Sequence, residues 1–508
     1  MRRKKLSAAV LATATATVAA LVTAAGPAAA AGETTLTADP LPTWQTDGVV
    51  WAVAYAKGVV YVGGTFNNAR PPGAAAGTNQ TPRKNFAAFD AVTGELLPCA
   101  PSFTGGSGTV RALEPSPDGS VLYVGGSFGN AGGVGRSNTA ALNTANCTIR
   151  SDFKPVVNAT VRAIEATSSS VYIGGDFKTV SGQTRQRVAA LSPAGVLQPF
   201  KASVDLPVRA ITASPAHNKV LIGGDFDYVN NRYSHGLVAL DPSTGAVTQT
   251  FSSTTWIPPR SVVKDLENDG TYFYLGAEGN GGGVFDGRAV GVLSTGKLKW
   301  KDDCLGATQA VVPYKGVLYS GSHAHDCQNT RFGAKPTPGG FPEHNNRQHF
   351  LANSIADETI LPWFPDTNDG IGEQIGPRAM TMAGDILWAG GEFTTVNGKP
   401  QQGLTRFPAA PDTGAPQVPI LSGTSTSRGK ITLSWKASWD MDDGVLTYRI
   451  YRDGKFLTSL QRESRYWNRP TITFTDTVAP GAQHRYSLEV TDGENLSGRN
   501  GPVYVTAR

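Results

Sequence analysis

The sequence predicts an all-β chain: a seven-bladed β-propeller whose N-terminal strand closes the last blade, followed by a small β-sandwich. Three observations predict it. The phrase Tyr-Val-Gly-Gly-x-Phe, or a relative of it, returns seven times between Tyr61 and Phe393. Its copies begin 45 to 69 residues apart, too long for a helical-pair repeat and suited to one four-stranded blade. Beyond residue 416 the phrase stops, and strictly alternating apolar and polar segments replace it.

Residues 1–31 read as an export signal. Arg2, Arg3, Lys4 and Lys5 form a basic head, an Ala/Val/Leu/Thr run follows to Val22, and Ala28 to Ala31 supply a small-residue cleavage site. The run is alanine-diluted and ends at Gly26-Pro27, which favours cleavage over a membrane anchor. The Arg-Arg pair lacks a matching downstream twin-arginine pattern. The expected product is secreted, extracellular and not inserted in a membrane. Its formal charge of +5 loses four cations with the head, leaving about +1, too little to attract nucleic acid or anionic lipid broadly. Four cysteines in an oxidising compartment favour two disulfides over metal binding, and none has a C-x-x-C spacing. Three pairings are open; the blade topology favours Cys99–Cys147 and Cys304–Cys327.

The clear copies of the phrase begin at Tyr61, Tyr123, Tyr172, Leu221 and Trp388, and two worn copies begin at Tyr274 and Tyr319. Residues 108–156 show how one unit reads. Val110 to Leu113 alternates as a first strand, Ser116-Pro-Asp-Gly119 turns, and Val121 to Gly126 is a second strand. It ends in a glycine pair, where a bulky side chain would block close backbone approach. Asn138 to Asn143 is a third strand, and Ile149 to Pro155 holds a fourth. The first strand recurs from Val50, Val161, Val208, Val263, Thr308 and Pro377, and the third from Phe86, Val188, Leu237 and Leu404. The seventh unit stops near Pro408, so Leu41 to Trp44 is expected to supply its outer strand and close the ring. The propeller spans 32–408, a linker 409–416 and the sandwich 417–508.

The sandwich resembles a fibronectin type III domain. Trp435 lies on an early strand, and Pro480-Gly481 before Tyr486 is similar to the tyrosine corner of such sandwiches. The repeats resemble the delta-sixty-type repeat proteins of secreted actinobacterial origin, through the Tyr-Val-Gly-Gly-x-Phe and Ala-Ala-Leu-Asp phrases. That resemblance implies a propeller and export, and no settled activity.

In such blades the loops from second to third strands share one face with the links between blades. Two of these loops are long, Asn67 to Asn85 and His325 to Gln348, and Gly279 to Gly287 is glycine-rich. Two positions vary in step. The second residue of the first strand runs Trp51, Arg111, Arg162, Arg209, Lys264, Gln309, Arg378; the residue after the glycine pair runs Thr65, Ser127, Asp176, Asp225, Glu278, His323, Glu392. Where the second list is acidic the first is basic, which predicts an ion-paired clasp within units 3, 4, 5 and 7. Units 1, 2 and 6 break the rule, leaving Trp51, Arg111, Gln309 and His323 as candidate ligand contacts on one side of the ring.

His323, His325 and Asp326, with His344 and His349 further on, offer a metal set of no established spacing; polar loop roles are the plainer explanation. Asp366-Thr-Asn-Asp-Gly370 and Asp440-Met-Asp-Asp-Gly444 invite a calcium reading, but the first lacks an EF-hand's twelfth-position acid and the second reads as an Asp/Gly turn. No Gly-x-Ser-x-Gly, His-Glu-x-x-His or phosphate loop occurs. Asp302, Asp303, Glu343 and Asp366 could pair as glycosidase acid and base, and Trp51, Trp256, Trp363, Tyr233 and Trp467 could stack on sugars. The expectation is a monomeric, cofactor-free, non-enzymatic recognition protein for polysaccharide or a cell-surface protein. The alternatives are an extracellular glycosyl hydrolase and a purely structural envelope protein.

Overall fold

Seven repeats form seven small antiparallel sheets in a computed structural model that describes residues 34–280, 284–330, 340–342 and 347–508. The inner strands are Val49–Ala56, Thr109–Pro115, Val161–Ala166, Val208–Ser214, Ser261–Asn268, Thr308–Tyr314 and Pro377–Ala383. Each pairs with a middle strand carrying the repeated phrase, which pairs in turn with a third strand. The fifth and sixth sheets take theirs from Arg288–Val292 and Gln348–Ser354. There is no α-helix among the described residues.

Four full strands per sheet were expected, and the outermost one is often cut short. It is regular in the fourth and fifth sheets (Val247–Thr250, Leu298–Asp302) and two residues long in the second (Thr148–Ile149). In the first, third and sixth sheets it shrinks to single bridges, Phe89–Leu96, Leu191–Leu197 and Asn353–Ile360. Pro98, Pro199 and Pro362 stand two residues beyond these bridges. A ring nitrogen cannot donate to the ladder, so pairing stops there.

The glycine pair now has a double cause. A Cβ on its first glycine would strike the next sheet's inner strand: 2.3 Å from Val110 at Gly63, 2.6 Å from Val161 at Gly125, 2.6 Å from Val208 at Gly174 and 2.4 Å from Val263 at Gly223. The series returns to its start, because a Cβ on Gly390 of the seventh sheet would lie 2.2 Å from Val50 of the first. The second glycine faces its own sheet, where a Cβ at Gly126 would lie 2.0 Å from the Thr109 carbonyl. Each sheet therefore packs on the next and the seventh on the first, a propeller-like arrangement. Phe89, Trp388 and Leu404 fill the last junction, and Trp388 donates its indole N–H to Ala91 O (3.2 Å).

The N-terminal segment does lie along the seventh sheet, though not as the regular strand expected of Leu41 to Trp44. Thr37 N–H donates to Pro408 O (2.8 Å), Leu41 N–H to Arg406 O (2.9 Å) and Thr46 N–H to Gln402 O (3.1 Å). Pro40 and Pro42 remove the donors between, which keeps the pairing intermittent. The Arg406 guanidinium supplies what the ladder lacks, donating to Pro42 O (2.6 Å) from one side and Val92 O (2.9 Å) and Thr93 O (3.1 Å) from the other.

Residues beyond 416 form two sheets, of three strands (Ser422–Ser427, Lys430–Lys436, Thr471–Thr477) and four (Lys455–Glu463, Val445–Arg452, Gln483–Thr491, Asn500–Thr506). Trp435, Tyr448, Ile450, Tyr486 and Leu488 fill the core between them. The buried hydroxyl of Tyr486 donates to Asp476 (2.7 Å), which also holds Arg452 (2.9 Å). The sandwich touches the sixth repeat, where Trp467 packs on Phe364 and Phe341 and Phe364 N–H donates to Met441 O (2.7 Å). Both expected disulfides are present, Cys99–Cys147 and Cys304–Cys327. No helix among the described residues is long and apolar enough to cross a membrane.

Candidate functional site

Every inner strand carries a β-bulge at the same place, between Val50 and Ala52, Val110 and Ala112, Val161 and Ala163, Val208 and Ala210, Val263 and Asp265, Thr308 and Ala310, and Pro377 and Ala379. The skipped residues are Trp51, Arg111, Arg162, Arg209, Lys264, Gln309 and Arg378. A bulge leaves one residue unpaired and re-aims its side chain. Seven repetitions bring these seven side chains together at the end of the inner strands where the loops to the third strands depart. Their mutual approach shows in Arg111, whose charge is opposed by Arg162, Arg378 and Arg209.

Four of them form the expected clasps. Arg162 meets Asp176 (2.8 Å), Arg209 meets Asp225 (2.5 Å), Lys264 meets Glu278 (2.9 Å) and Arg378 meets Glu392 (2.7 Å). The last is the most enclosed, with Glu392 at 0% exposure and Arg378 at 5%, and Glu373 adds a second carboxylate at 2.6 Å.

The other sheets break the pattern, but their side chains are not idle. Trp51 donates its N–H to Thr65 Oγ1 (3.0 Å). Its ring lies between two guanidiniums, Arg111 at 3.8 Å and Arg378 at 5.0 Å from the centroid. Gln309 accepts from Arg378 (2.9 Å) and donates to Glu278 (2.8 Å). These contacts stitch sheets 2, 1, 7, 6 and 5 into one continuous lining, whereas the clasps of sheets 3 and 4 close on themselves. Arg111 pairs with no carboxylate among the described residues. Removal from water and then its cationic neighbours lower it to about 10, so it stays charged at neutral pH, with Glu373 partly offsetting the repulsion.

His323 sits beside this lining. Burial, with repulsion from Arg347 and His349, lowers it to about 4, leaving it neutral at pH 7. Its Nε2 accepts from Ala307 N–H (3.3 Å), so the proton resides on Nδ1. That Nδ1 is buried and meets no acceptor among the described residues. His323 thus holds a buried, unpaired Nδ1–H, and the charges acting on it are those of Arg347, His349, Glu278 and Asp369. Arg111, stacked on the Trp51 indole and paired with no carboxylate among the described residues, can bind an anionic group.

Beyond the bulge, the inner strands of sheets 2, 3 and 5 carry the acids Glu114, Glu165, Asp265 and Glu267. Glu165 accepts from Ala213 N–H of the next sheet (2.9 Å), and Asp265 accepts from Val311 N–H (2.8 Å). Burial raises Glu165 to about 7 and Asp265 to about 6, and burial with mutual repulsion raises Glu114 and Glu267 well above the carboxylate range. Pro313, which has no N–H, stands at the position equivalent to Ala166 and Ala213, whose N–H groups serve Glu114 and Glu165.

The metal reading of His323, His325 and Asp326 does not fit the geometry. Their ligand atoms do not form a group within 4.8 Å; the described groups that do are all aspartates. Leu305 lies against this segment. Its backbone pairs with the segment through His325 N–H (2.8 Å) and Asp326 O (2.9 Å), while the Asp326 carboxylate caps Gln328 N–H (3.0 Å). His344 and Glu343 lie outside the described residues. His349 is buried, with Nδ1 on Asp366 (2.9 Å) and Nε2 on Asp369 (3.0 Å). Asp302 is sealed in a buried pair with Arg288 (2.7 Å) and bonded by Asn353 (3.1 Å), so neither it nor Asp366 is placed as a free acid–base group.

Of the candidate stacking residues, Trp256 and Trp363 are core. Trp467 lines a cavity of about 540 Å³ with Phe364, Trp439, Met441 and Tyr466. Tyr233 is 48% exposed and meets Tyr228, 50% exposed, edge to face on the hairpin Tyr228–Val229/Arg232–Tyr233. Such hairpins recur between middle and third strands, around Gly132-Gly133, Ser181-Gly182, Asn230-Asn231 and Asn397-Gly398, all with positive φ at both residues. Two adjacent left-handed residues define the type I′ turn, and the Gly/Asn/Ser pairs at these positions were the overlooked signal.

No family model matches the chain. An alpha-amylase of Niallia circulans is 28% identical over 160 residues, 29% of this chain and 12% of that protein. The chain thus spans about an eighth of that relative's length. Among solved structures it is similar to a chain of the mitotic checkpoint complex (12% identity, 73% of this chain and 96% of that one, TM-score 0.46). It is also similar to acylaminoacyl peptidase of Pyrococcus horikoshii (10%, 77% and 58%, TM-score 0.36) and to Hsv2 of Kluyvelomyces marxianus (8%, 82% and 100%, TM-score 0.30). At these values the likenesses carry neither a ligand nor a reaction.

Proposed function

We propose that the protein is a secreted, non-enzymatic recognition protein: a seven-bladed β-propeller closed by its N-terminal segment, with a C-terminal fibronectin type III module. It binds polysaccharide bearing carboxylate or sulfate groups at the bulge-lined end of the propeller. The observation that carries this reading is Arg111, a charged guanidinium stacked on the accessible indole of Trp51 and paired with no carboxylate among the described residues. The Trp51 indole orients the Arg111 guanidinium for an acidic substituent of the sugar, the Gln309 amide fixes Arg378 and Glu278 in the same lining, and His323 is the remaining candidate contact. The exposed Tyr228–Tyr233 pair extends an aromatic platform among the loops between middle and third strands. Two disulfides and the absence of a membrane-crossing helix among the described residues are compatible with an extracellular setting.

A second reading, hydrolysis of glycosyl bonds, draws on the amylase match. That match covers 12% of the enzyme, which supports association with carbohydrate more than its reaction. Polysaccharide microarrays carrying uronate, sulfated and neutral glycans test the proposal. Binding restricted to acidic glycans without reducing-end release is expected; release of reducing ends would favour the hydrolase, and neither would favour a structural protein.

A further inference from the structure

Five of the seven bulge side chains are cations, and four of them hold a carboxylate of their own sheet, which leaves Arg111 over. A further carboxylate reaches this end from outside the repeated phrase. Glu373 belongs to the loop before the inner strand Pro377–Ala383 and meets the Arg378 guanidinium at 2.6 Å, with its side chain 63% exposed. Arg378 is already neutralised: Glu392 accepts from its Nε (3.0 Å) and Nη2 (2.7 Å), and Gln309 from its Nη1 (2.9 Å). An ion pair this open to water and salt contributes little to stability. Stability therefore does not explain a carboxylate at this place.

The backbone mounts Glu373 there. Every second residue of the loop is left-handed, with φ of 78° at Gly370, 77° at Gly372, 60° at Gln374 and 82° at Gly376. Glu392 fastens the loop on both sides of Glu373, accepting Ile371 N–H on its backbone O (2.9 Å) and Ile375 N–H on Oε2 (3.2 Å), and Arg347 donates to Gln374 O (3.2 Å). The main chain is fixed while the carboxylate stays free to turn in water. The charges acting on that carboxylate are those of Arg378, Lys264 and Arg111, from sheets 7, 5 and 2, all positive. Burial raises it, but these cations outweigh burial and hold it below its ordinary value, so it is ionised at neutral pH. Glu373 is in turn the carboxylate that offsets the repulsion on Arg111.

We propose that Glu373 is a tethered counter-ion that holds the anion position of the bulge-lined end, and that an acidic ligand binds by displacing it. With Glu373 in place, the five cations face five carboxylates. With it turned away, Arg111 is left to a carboxylate or sulfate of the ligand. The exchange needs a side-chain rotation alone, because the loop backbone is held by its own hydrogen bonds. Glu392 keeps Arg378 neutralised throughout, so no buried charge is stranded. A ligand without charge cannot replace the lost counter-ion, and the device therefore selects for anions. The inference rests on the acidic-glycan reading of this end and adds how the end discriminates.

Calorimetric titration of the purified protein with polygalacturonate, for carboxylate, and dextran sulfate, for sulfate, tests it. Glu373→Gln and Glu373→Ala are compared with Asp385→Asn, which removes the same charge from an exposed pair with Lys315 beyond the far end of the seventh inner strand. Both Glu373 variants should bind the acidic polymer about tenfold more tightly than wild type, the scale of one charge-assisted contact, and Asp385→Asn should match wild type. Binding seen in the Glu373 variants alone would support the same conclusion. Glu373 variants that bind no more tightly than wild type would overturn the inference, and the acidic-glycan reading would stand if Arg111→Ala still weakened binding. An equal gain from Asp385→Asn would overturn it as an effect of net charge. Neither polymer binding to wild type or to the Glu373 variants would overturn both the inference and that reading.

Discussion

Sheets 3 and 4 and sheets 1, 2 and 6 share one backbone device and use it for different ends. In each, a bulge sends the inner strand's second side chain toward the others. In sheets 3 and 4 it meets an aspartate of the same sheet, and the pair is complete. In sheets 1 and 6, Trp51 and Gln309 reach neighbouring sheets, and in sheet 2 Arg111 stacks without a counter-ion. The repeated backbone supplies position, and departures from the repeated side chains supply chemistry.

The largest expected effect attacks the shared frame. Gly390→Ala places a Cβ against Val50 at the junction of the seventh and first sheets and should cost about 3 kcal/mol in denaturant unfolding. Gly135→Ala, where a Cβ meets nothing within 4 Å, should be near neutral. Equal costs at the two positions would dissolve the account of the glycine pair.

Next, the clasps should differ among themselves by burial. Glu392→Gln leaves the enclosed Arg378 with Glu373 and Gln309 alone and should cost about 3 kcal/mol. Asp176→Asn removes the partner of the more exposed Arg162 and should cost about 1 kcal/mol or less. Chemical denaturation of both variants checks the ranking.

The pH response is smaller and has opposite signs at the two halves. Glu165 is raised by burial to about 7 from 4.5, so its contribution is full below pH 4.5 and lost as pH rises through 7. His323 is lowered to about 4 from 6.5, so its contribution is full above pH 6.5 and lost as pH falls through 4. Glu165→Gln should therefore flatten the alkaline side of the stability profile, and His323→Gln the acid side. Unchanged slopes in both would contradict the assigned environments.

Much of this was legible in the chain because it is periodic. Seven copies of one phrase expose which positions covary, so the four clasps could be read from Arg162/Asp176 and its equivalents, and both disulfides followed from the order of strands. The bulges were not legible, since sequence shows that Trp51 or Arg111 is unusual but not that its backbone slips register. Truncated outer strands escaped because Pro98, Pro199 and Pro362 act on single bridges rather than on a visible strand pattern. Strands Ser422–Ser427 and Lys455–Glu463 were missed because they are largely exposed and weakly alternating.

The central claim is that the break in the clasp pattern marks the binding side. Equilibrium titration of an acidic polysaccharide retained on the microarray, with Arg111→Ala and Arg162→Ala compared at equal folded fraction, tests it most directly. The account predicts at least a tenfold loss for Arg111→Ala, on the scale of one charge-assisted contact, and little change for Arg162→Ala. Equal affinities for the two variants, or a greater loss at Arg162, would contradict it.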